Sequence, residues 1–398
     1  MALNVDGPSH GNIESQDATL ESEKQAQLLA DDDADCLLRD SATTSTTTIA
    51  IPLPDDPAHG LQWISNGNPF SPRPKWTIGP TIDSIILTLK AFIDQSGQYS
   101  VRQLWDGAYN RVYSVAYEDK RYVMRVSLPV CPRLKTESEV ATLEWICKNT
   151  RLPVPNVICY DSSRNSPVGF EWILMGRIDG VPLSQCWQAV TRDAKERIVK
   201  QIVEYAAAAF KRQFEGVVRE GDRSTDADAD QDTVDKGKKP REPTMLWHDA
   251  ISLDNILVDE NGVLCGVIDW ACVSCLPLYE ACQFPAFLQQ ARDRPVEPLT
   301  PHRVTQKQPD SKDISGFERD SRQHELTLLR KLFMDEMMDR CPEWVHIFNG
   351  RKDLRDYEAA VQNCDNEFAY EVVESWVDAV ENGGIHGKVP WRLHERLM

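Results

Sequence analysis

The sequence predicts an α+β fold in which a small, mostly antiparallel β lobe precedes a larger helical lobe. Three observations carry that prediction. A strand meander runs through Val101–Trp105, Val112–Tyr117 and Arg121–Ser127, with reversals at Asp106-Gly107 and Glu118-Asp119. A helical stretch from Glu137 to Lys148 is followed by two further strands, around Val157–Tyr160 and Phe170–Met175. Long amphipathic stretches then take over: Arg192–Phe214, with Ile198, Ile202, Tyr205 and Ala209 on one face, and Glu367–Glu381, with Ala369, Val373, Trp376 and Val380 on one face.

The remaining elements follow in chain order. Residues 1–80 are expected to form a disordered or extended N-terminal tail, because the stretch is polar and acidic and holds a Ser/Thr tract at 41–48. Trp63, Phe70 and Trp76 lie among prolines near its end, which leaves open an extended run over the domain surface or a docking role. A short helix is expected over Ile82–Gln95. The 137–148 helix carries a start signal, Thr136 followed three residues later by Glu139, which is the capping-box spacing. The small lobe is bounded at 81–176 and the helical lobe at 177–398, the latter interrupted by a charged insertion at 216–243 that reads as a solvated loop or a lid.

Composition narrows the function classes. With a net charge of −18, the chain is not expected to bind nucleic acid through a bulk electrostatic field. No apolar run reaches the roughly 18 residues of a membrane span, and the acidic N-terminus lacks an export or presequence pattern, so a cytoplasmic location is expected. The 11 cysteines show no framework spacing and are expected as reduced thiols; Cys272 and Cys275 form a lone Cys-x-x-Cys without the second pair that zinc would need.

The chemistry concentrates in Trp247-His248-Asp249-Ala250-Ile251-Ser252-Leu253-Asp254-Asn255-Ile256-Leu257-Val258 and in Val267-Ile268-Asp269-Trp270, separated by the turn signal Asp259-Glu260-Asn261-Gly262. Read as a hairpin, the segment puts Asn255 and Asp269 at the same open end, where paired Cα atoms sit roughly 4.5–5.5 Å apart. An amide oxygen and a carboxylate at that spacing can share one hard cation. On the preceding meander, Arg125 alternates with Val123 and so shares its face. A cation there needs a carboxylate partner. Glu139 on the following helix is the natural one, with Glu137 as the rival.

These motifs resemble the aminoglycoside phosphotransferase family, a branch of the protein-kinase-like fold, and in particular its fungal members. That family's His-Gly-Asp, four residues, Asn, then Ile/Leu-Asp-Trp/Phe is matched at His248, Asn255 and Asp269. Three strands, a helix and two strands is also the order of a kinase small lobe. The resemblance implies a two-lobed protein that binds ATP and Mg²⁺ and moves the γ-phosphoryl to a hydroxyl on an unidentified small molecule. It implies that Asn255 and Asp269 hold the metal, that Arg125 with Glu139 stands where kinases pair lysine and glutamate, that Gly107 lies in the phosphate-covering turn, and that Met175 belongs to a hinge, Ile173–Arg177, whose backbone meets the base. His248 is expected to brace the loop.

One departure bears on activity. The family's catalytic aspartate lies five residues before the metal asparagine, and here that position is Ala250. A methyl group can neither accept nor orient a hydroxyl proton, a loss typically worth about 10²–10⁴-fold. Asp249 and Asp254 are the neighbouring acids that could substitute. The sequence therefore supports two readings, an ATP-dependent phosphotransferase with a changed base and a catalytically impaired pseudokinase that binds nucleotide or a partner.

Overall fold

The computed structural model describes residues 59–65, 72–215, 242–289, 293–298, 311–383 and 392–393. The chain divides into two compact units. One runs to Ala194 and takes in Ser252–Cys272; the other takes Lys195–Ile251 and the chain from Val273 onward. This division departs from the boundary expected at 176, because the motif hairpin groups with the first unit.

The first unit is built on a five-stranded antiparallel sheet. Strands β1 (Leu61–Ile64) and β2 (Arg73–Trp76) form a separate hairpin; then come helix α1 (Ile82–Phe92), β3 (Tyr99–Asp106), β4 (Asn110–Tyr117), β5 (Lys120–Ser127), helix α2 (Leu134–Asn149), β6 (Val157–Asp161) and β7 (Glu171–Gly176). The strand order is β3-β4-β5-β7-β6. This is the expected α+β small-lobe order of three strands, a helix and two strands. Alternation explains its faces. Met124 and Val126 of β5 turn to one side and join Ile85 and Leu89 of α1, Tyr113, Val115 and Trp172 in a core cluster. Full burial of each such side chain contributes roughly 1.5–3 kcal/mol. Val123 and Arg125 turn to the other side, where Leu104, Trp105 and Val112 pack with Val123. Helix α1 opens with a reciprocal cap: Ser84 N–H donates to Thr81 Oγ1 at 3.1 Å, and Thr81 N–H to Ser84 Oγ at 3.0 Å.

Three expectations are corrected in this unit and the next. Residues 59–80, assigned to a disordered or extended tail, include the β1–β2 hairpin, and it is docked on the sheet: Trp76 packs edge-on against Phe170 with ring centroids 5.2 Å apart, and its indole N–H donates to the Gly107 carbonyl at 3.0 Å. Tail residues 1–58 and 66–71, Phe70 among the latter, lie outside the described residues. The capping box at Thr136 does not form. Helix α2 begins three residues before Glu137, and Arg133 at its N-cap makes no side-chain cap bond. The buried Glu171 carboxylate replaces the box from another strand, accepting from Arg133 N–H and from the Thr136 hydroxyl, both at 2.6 Å. Finally, the chain after Asp269 is not wholly helical, since a short strand at Ser274–Pro277 pairs with Pro243–Trp247.

The first unit also contains β8 (Val181–Pro182), β11 (Ile256–Val258) and β12 (Leu264–Val267), ordered β12-β11-β8. The second unit holds most of α3 (Arg192–Phe210), then β9 (Phe214–Glu215), β10 (Pro243–Trp247) and β13 (Ser274–Pro277), followed by α4 (Ser311–Arg340), α5 (Pro342–Gly350), α6 (Lys352–Gln362) and α7 (Tyr370–Gly383). Of the charged insertion expected over 216–243, residues 216–241 lie outside the described residues, and Pro243 already belongs to β10. Among the described residues, no helix is long and apolar enough to cross a membrane, and the described cysteines are free thiols.

Candidate nucleotide and phosphoryl-transfer site

The metal-hairpin segment folds as its turn signal dictates. Asp259 Oδ1 accepts from Asn261 N–H at 2.9 Å and Val263 N–H at 2.8 Å, and Gly262 takes a φ of +70° that suits glycine. β11 and β12 pair from Ile256↔Val267 down to Val258↔Leu264, with a bulge after Leu257. The Ile268 N–H donates to the Asn255 carbonyl at 2.9 Å, so Asn255 and Asp269 stand at the same end of the hairpin, one residue out of direct opposition. Asp269 has a φ of 63°, a left-handed conformation uncommon outside glycine, and its side chain is 48% exposed. Trp270 anchors the turn below it, being 1% exposed and donating its indole N–H to the Val267 carbonyl at 2.8 Å.

Arg125 reaches this point from the sheet. It lies in the middle of β5 between Val112 and Ile173 and is 6% exposed. One guanidinium nitrogen, Nη2, contacts Glu139 Oε2 of α2, and Nη1 lies 3.8 Å from Asp269 Oδ1. The rival Glu137 is engaged elsewhere, with Arg133 at 2.8 Å and the Ser162 hydroxyl at 3.0 Å. Burial pushes the Arg125 pKa down and Asp269 opposes it; a guanidinium keeps its proton throughout. Its Nε is buried without a hydrogen-bond partner among the described residues.

Two more groups meet at Asn110. Gly107 turns the chain between β3 and β4, donating its N–H to the Asn110 carbonyl at 3.0 Å. A Cβ on it would lie 2.6 Å from Trp105 Nε1 and 3.1 Å from the Asn110 carbonyl, so close approach rather than φ demands glycine. Lys135, in the first turn of α2, donates to Asn110 Oδ1 at 2.5 Å. Burial, reinforced by the Arg125 charge, pushes its pKa down to about 8. Sequence reasoning missed Lys135. The available signal was a cation in the first turn of a helix, where the macrodipole disfavours it.

The expected hinge is corrected in part. Met175 is buried within β7, paired with Val123 and Val157. The next two N–H groups are satisfied within the protein, Gly176 on Asn156 O at 2.9 Å and Arg177 on Arg121 O at 3.1 Å, and so do not face a base.

The loop after β10 belongs to the second unit. His248 is 1% exposed, and its Nδ1 accepts the Ala250 N–H at 3.2 Å, the bracing role expected of it. Asp249 is 85% exposed. Asp254, in the first unit, has a buried Oδ1 without a hydrogen-bond partner among the described residues.

A divalent cation fits the chemistry of the hairpin end. Asn255 and Asp269 are an oxygen-only pair, and Asp269 is open on one side. Among the described residues, no group of three or more His, Cys, Asp and Glu side chains is arranged to hold a metal. Such a two-ligand site suits Mg²⁺, which commonly takes its other ligands from phosphate and water.

The sequence profile of the phosphotransferase enzyme family matches residues 100–280. A subtelomeric hrmA-associated cluster protein of Aspergillus fumigatus is 34% identical over 117 residues, covering 29% of this chain and 23% of that one. An altered inheritance of mitochondria protein 9 of Meyerozyma guilliermondii is 30% identical over 109 residues, covering 26% and 18%. The matched stretch thus spans less than a quarter of either relative. Among solved structures, the GDP complex of wild-type aminoglycoside 2′-phosphotransferase-IIIa aligns at 16% identity and a TM-score of 0.35, covering 69% of this chain and 99% of that one. Through residues 100–280, the chain is thus similar to the phosphotransferase enzyme family.

Proposed function

We propose that this protein binds Mg-ATP and transfers its γ-phosphoryl group to a hydroxyl of a small molecule. The observation that carries the reading is the meeting of three residues far apart in sequence: the buried Arg125 touches Glu139, and its other nitrogen lies 3.8 Å from the half-open Asp269. In this reading Arg125 binds the nucleotide phosphates, oriented by Glu139, and its unmet Nε donor adds to that contact. Asn255 and Asp269 hold the metal, which neutralises charge on the phosphates when bound. The turn at Gly107 covers the phosphate chain, and the base lies against the sheet near Met175, using backbone other than the N–H groups of Gly176 and Arg177.

Transfer needs the acceptor hydroxyl aimed at phosphorus and its proton removed as the bond forms. Ala250 offers no such group. Asp249, exposed to solvent, and Asp254, with its orphaned oxygen, are the carboxylates that would serve in its place. The specific observation of Ala250 favours a second reading, in which the site binds nucleotide and turns it over poorly or not at all.

Calorimetry with Mg-ATP on the full chain and on Asp269→Ala tests the binding half. Saturable binding lost in the variant supports it; equal affinity in both overturns the metal assignment. The cytoplasmic location expected from the sequence is part of this proposal, and the yeast relatives carry a mitochondrial name. Imaging of a fluorescent fusion decides between those compartments.

A further inference from the structure

Lys135 has no part in the reading proposed above. Its ammonium donates to Asn110 Oδ1 at 2.5 Å, and the same oxygen accepts from the Ser127 hydroxyl at 3.0 Å. Asn110 also receives the Gly107 N–H on its carbonyl, so Lys135 ties the first turn of α2 to the glycine turn.

Carboxylates lie around Lys135, but among the described residues none pairs with its ammonium directly. Arg125 is near enough to repel it, and Asp269, Glu171 and Cys272 lie within electrostatic reach. Both nearby buried carboxylates are committed: Glu139 to Arg125, and Glu171 to the Arg133 N–H and the Thr136 hydroxyl. Among the described residues, no carboxylate lies within ion-pair distance of the Lys135 ammonium, whose partner is a neutral amide. A partly buried ammonium beside a guanidinium, with three donors to satisfy, is costly without an anion. A bound anion would give the ammonium the direct charged partner it lacks.

We propose that Lys135 is a second phosphate-binding residue of this site, reaching the polyphosphate of a nucleoside triphosphate from the first turn of α2 while Arg125 reaches it from β5. The inference rests on the nucleotide reading above and adds to it a residue and a selectivity: affinity that grows with the number of phosphates. The bond to Asn110 keeps the ammonium extended toward the glycine turn, so the turn and the helix share one bound anion.

The test is calorimetry on the full chain with Mg-ATP, Mg-ADP and adenosine, for the wild type, Lys135→Met, Lys135→Arg and Asn110→Ala, each with a thermal melt to establish folding. Lys135→Met is expected to weaken ATP by about tenfold or more, the scale of one charge-assisted contact. ADP should weaken less and adenosine should not change. Lys135→Arg keeps the charge and should stay within a few fold of wild type, which separates charge from folding. Asn110→Ala removes the tether and should cost less than Lys135→Met. Lys135→Met binding ATP as well as wild type, or Asn110→Ala reproducing its whole loss for ATP and adenosine alike, would overturn the proposal while leaving the nucleotide reading standing. Wild type that binds no ATP at all would bring down both.

Discussion

The two compact units differ in what they carry. Every residue proposed to touch nucleotide or metal, from Gly107 through Arg125, Lys135 and Glu139 to Asn255 and Asp269, belongs to the first unit. The loop expected to handle the acceptor hydroxyl, His248-Asp249-Ala250, belongs to the second. In the first unit, the proposed reading finds a residue for each phosphate and metal contact, with arginine at 125 where kinases carry lysine. In the second, the bracing histidine is kept and the reactive carboxylate is not. In the proposed reading, the phosphate and metal contacts lie in the first unit, whereas the candidate bases are divided, Asp254 in the first and Asp249 in the second.

The sharpest way to break that comparison is to restore the missing group. Ala250→Asp should raise ATP-dependent phosphorylation or ATP hydrolysis by about 10²–10⁴-fold if only the base is absent. No gain in single-turnover assays would mean that the second unit lacks more than one side chain, or that Asp249 or Asp254 already serves. Asp269→Ala should then reduce Mg-dependent ATP affinity by at least about a hundredfold, on the order of 3 kcal/mol, while leaving the His248 loop unaffected.

The buried ion pair offers a test of a different kind. Glu139→Ala strands a guanidinium in the sheet and should destabilise the protein by about 3–5 kcal/mol in denaturant unfolding. Replacing both partners, Arg125→Met with Glu139→Leu, should recover most of that stability and none of the ATP affinity. Recovery of affinity as well would show the pair to be scaffold. A smaller effect is expected of Trp76→Phe, which removes the hydrogen bond to Gly107 O and should cost about 1 kcal/mol, read as a modest loss of Tm.

The pH dependence has a defined sign. Lys135 has its pKa lowered to about 8 by burial and by Arg125, with Cys272, Asp269 and Glu171 opposing. Because the folded value is below the unfolded one, the protonated ammonium costs stability below pH 8, and that cost is relieved as pH rises from about 8 toward the unfolded value. Melting of the nucleotide-free protein should reflect this gain. ATP affinity should move in the opposite direction, falling above pH 8 as the ammonium is lost, and Lys135→Met should flatten both trends.

Much of this site could be read from the chain because its signals are local. Alternation in β5 puts Arg125 on Val123's face, and helical spacing brings Glu139 to it. Asp259 to Gly262 form a turn whose bonds are nearly all its own, so the shared end of Asn255 and Asp269 follows. What could not be read depends on distant partners. The start of α2 is set by Glu171, 35 residues on from Thr136 in the chain. A boundary placed three residues late left Lys135 outside the helix and hid its misfit with the macrodipole. The pairing of Ser274–Pro277 with β10 likewise has no signal in its four residues.

The β1–β2 hairpin extends the folded body well beyond the family match. That match begins at residue 100, yet Trp76 reaches the Gly107 carbonyl, Arg111 lies over the Trp76 ring at 4.8 Å while bonding Asp106, and a Cβ on Gly79 would collide with the Arg111 guanidinium. The loop proposed to close over ATP is therefore fastened from outside the matched segment. A chain lacking its first eighty residues would keep the whole matched segment and lose the support that Trp76 and Gly79 give to the turn at Gly107 and to Arg111.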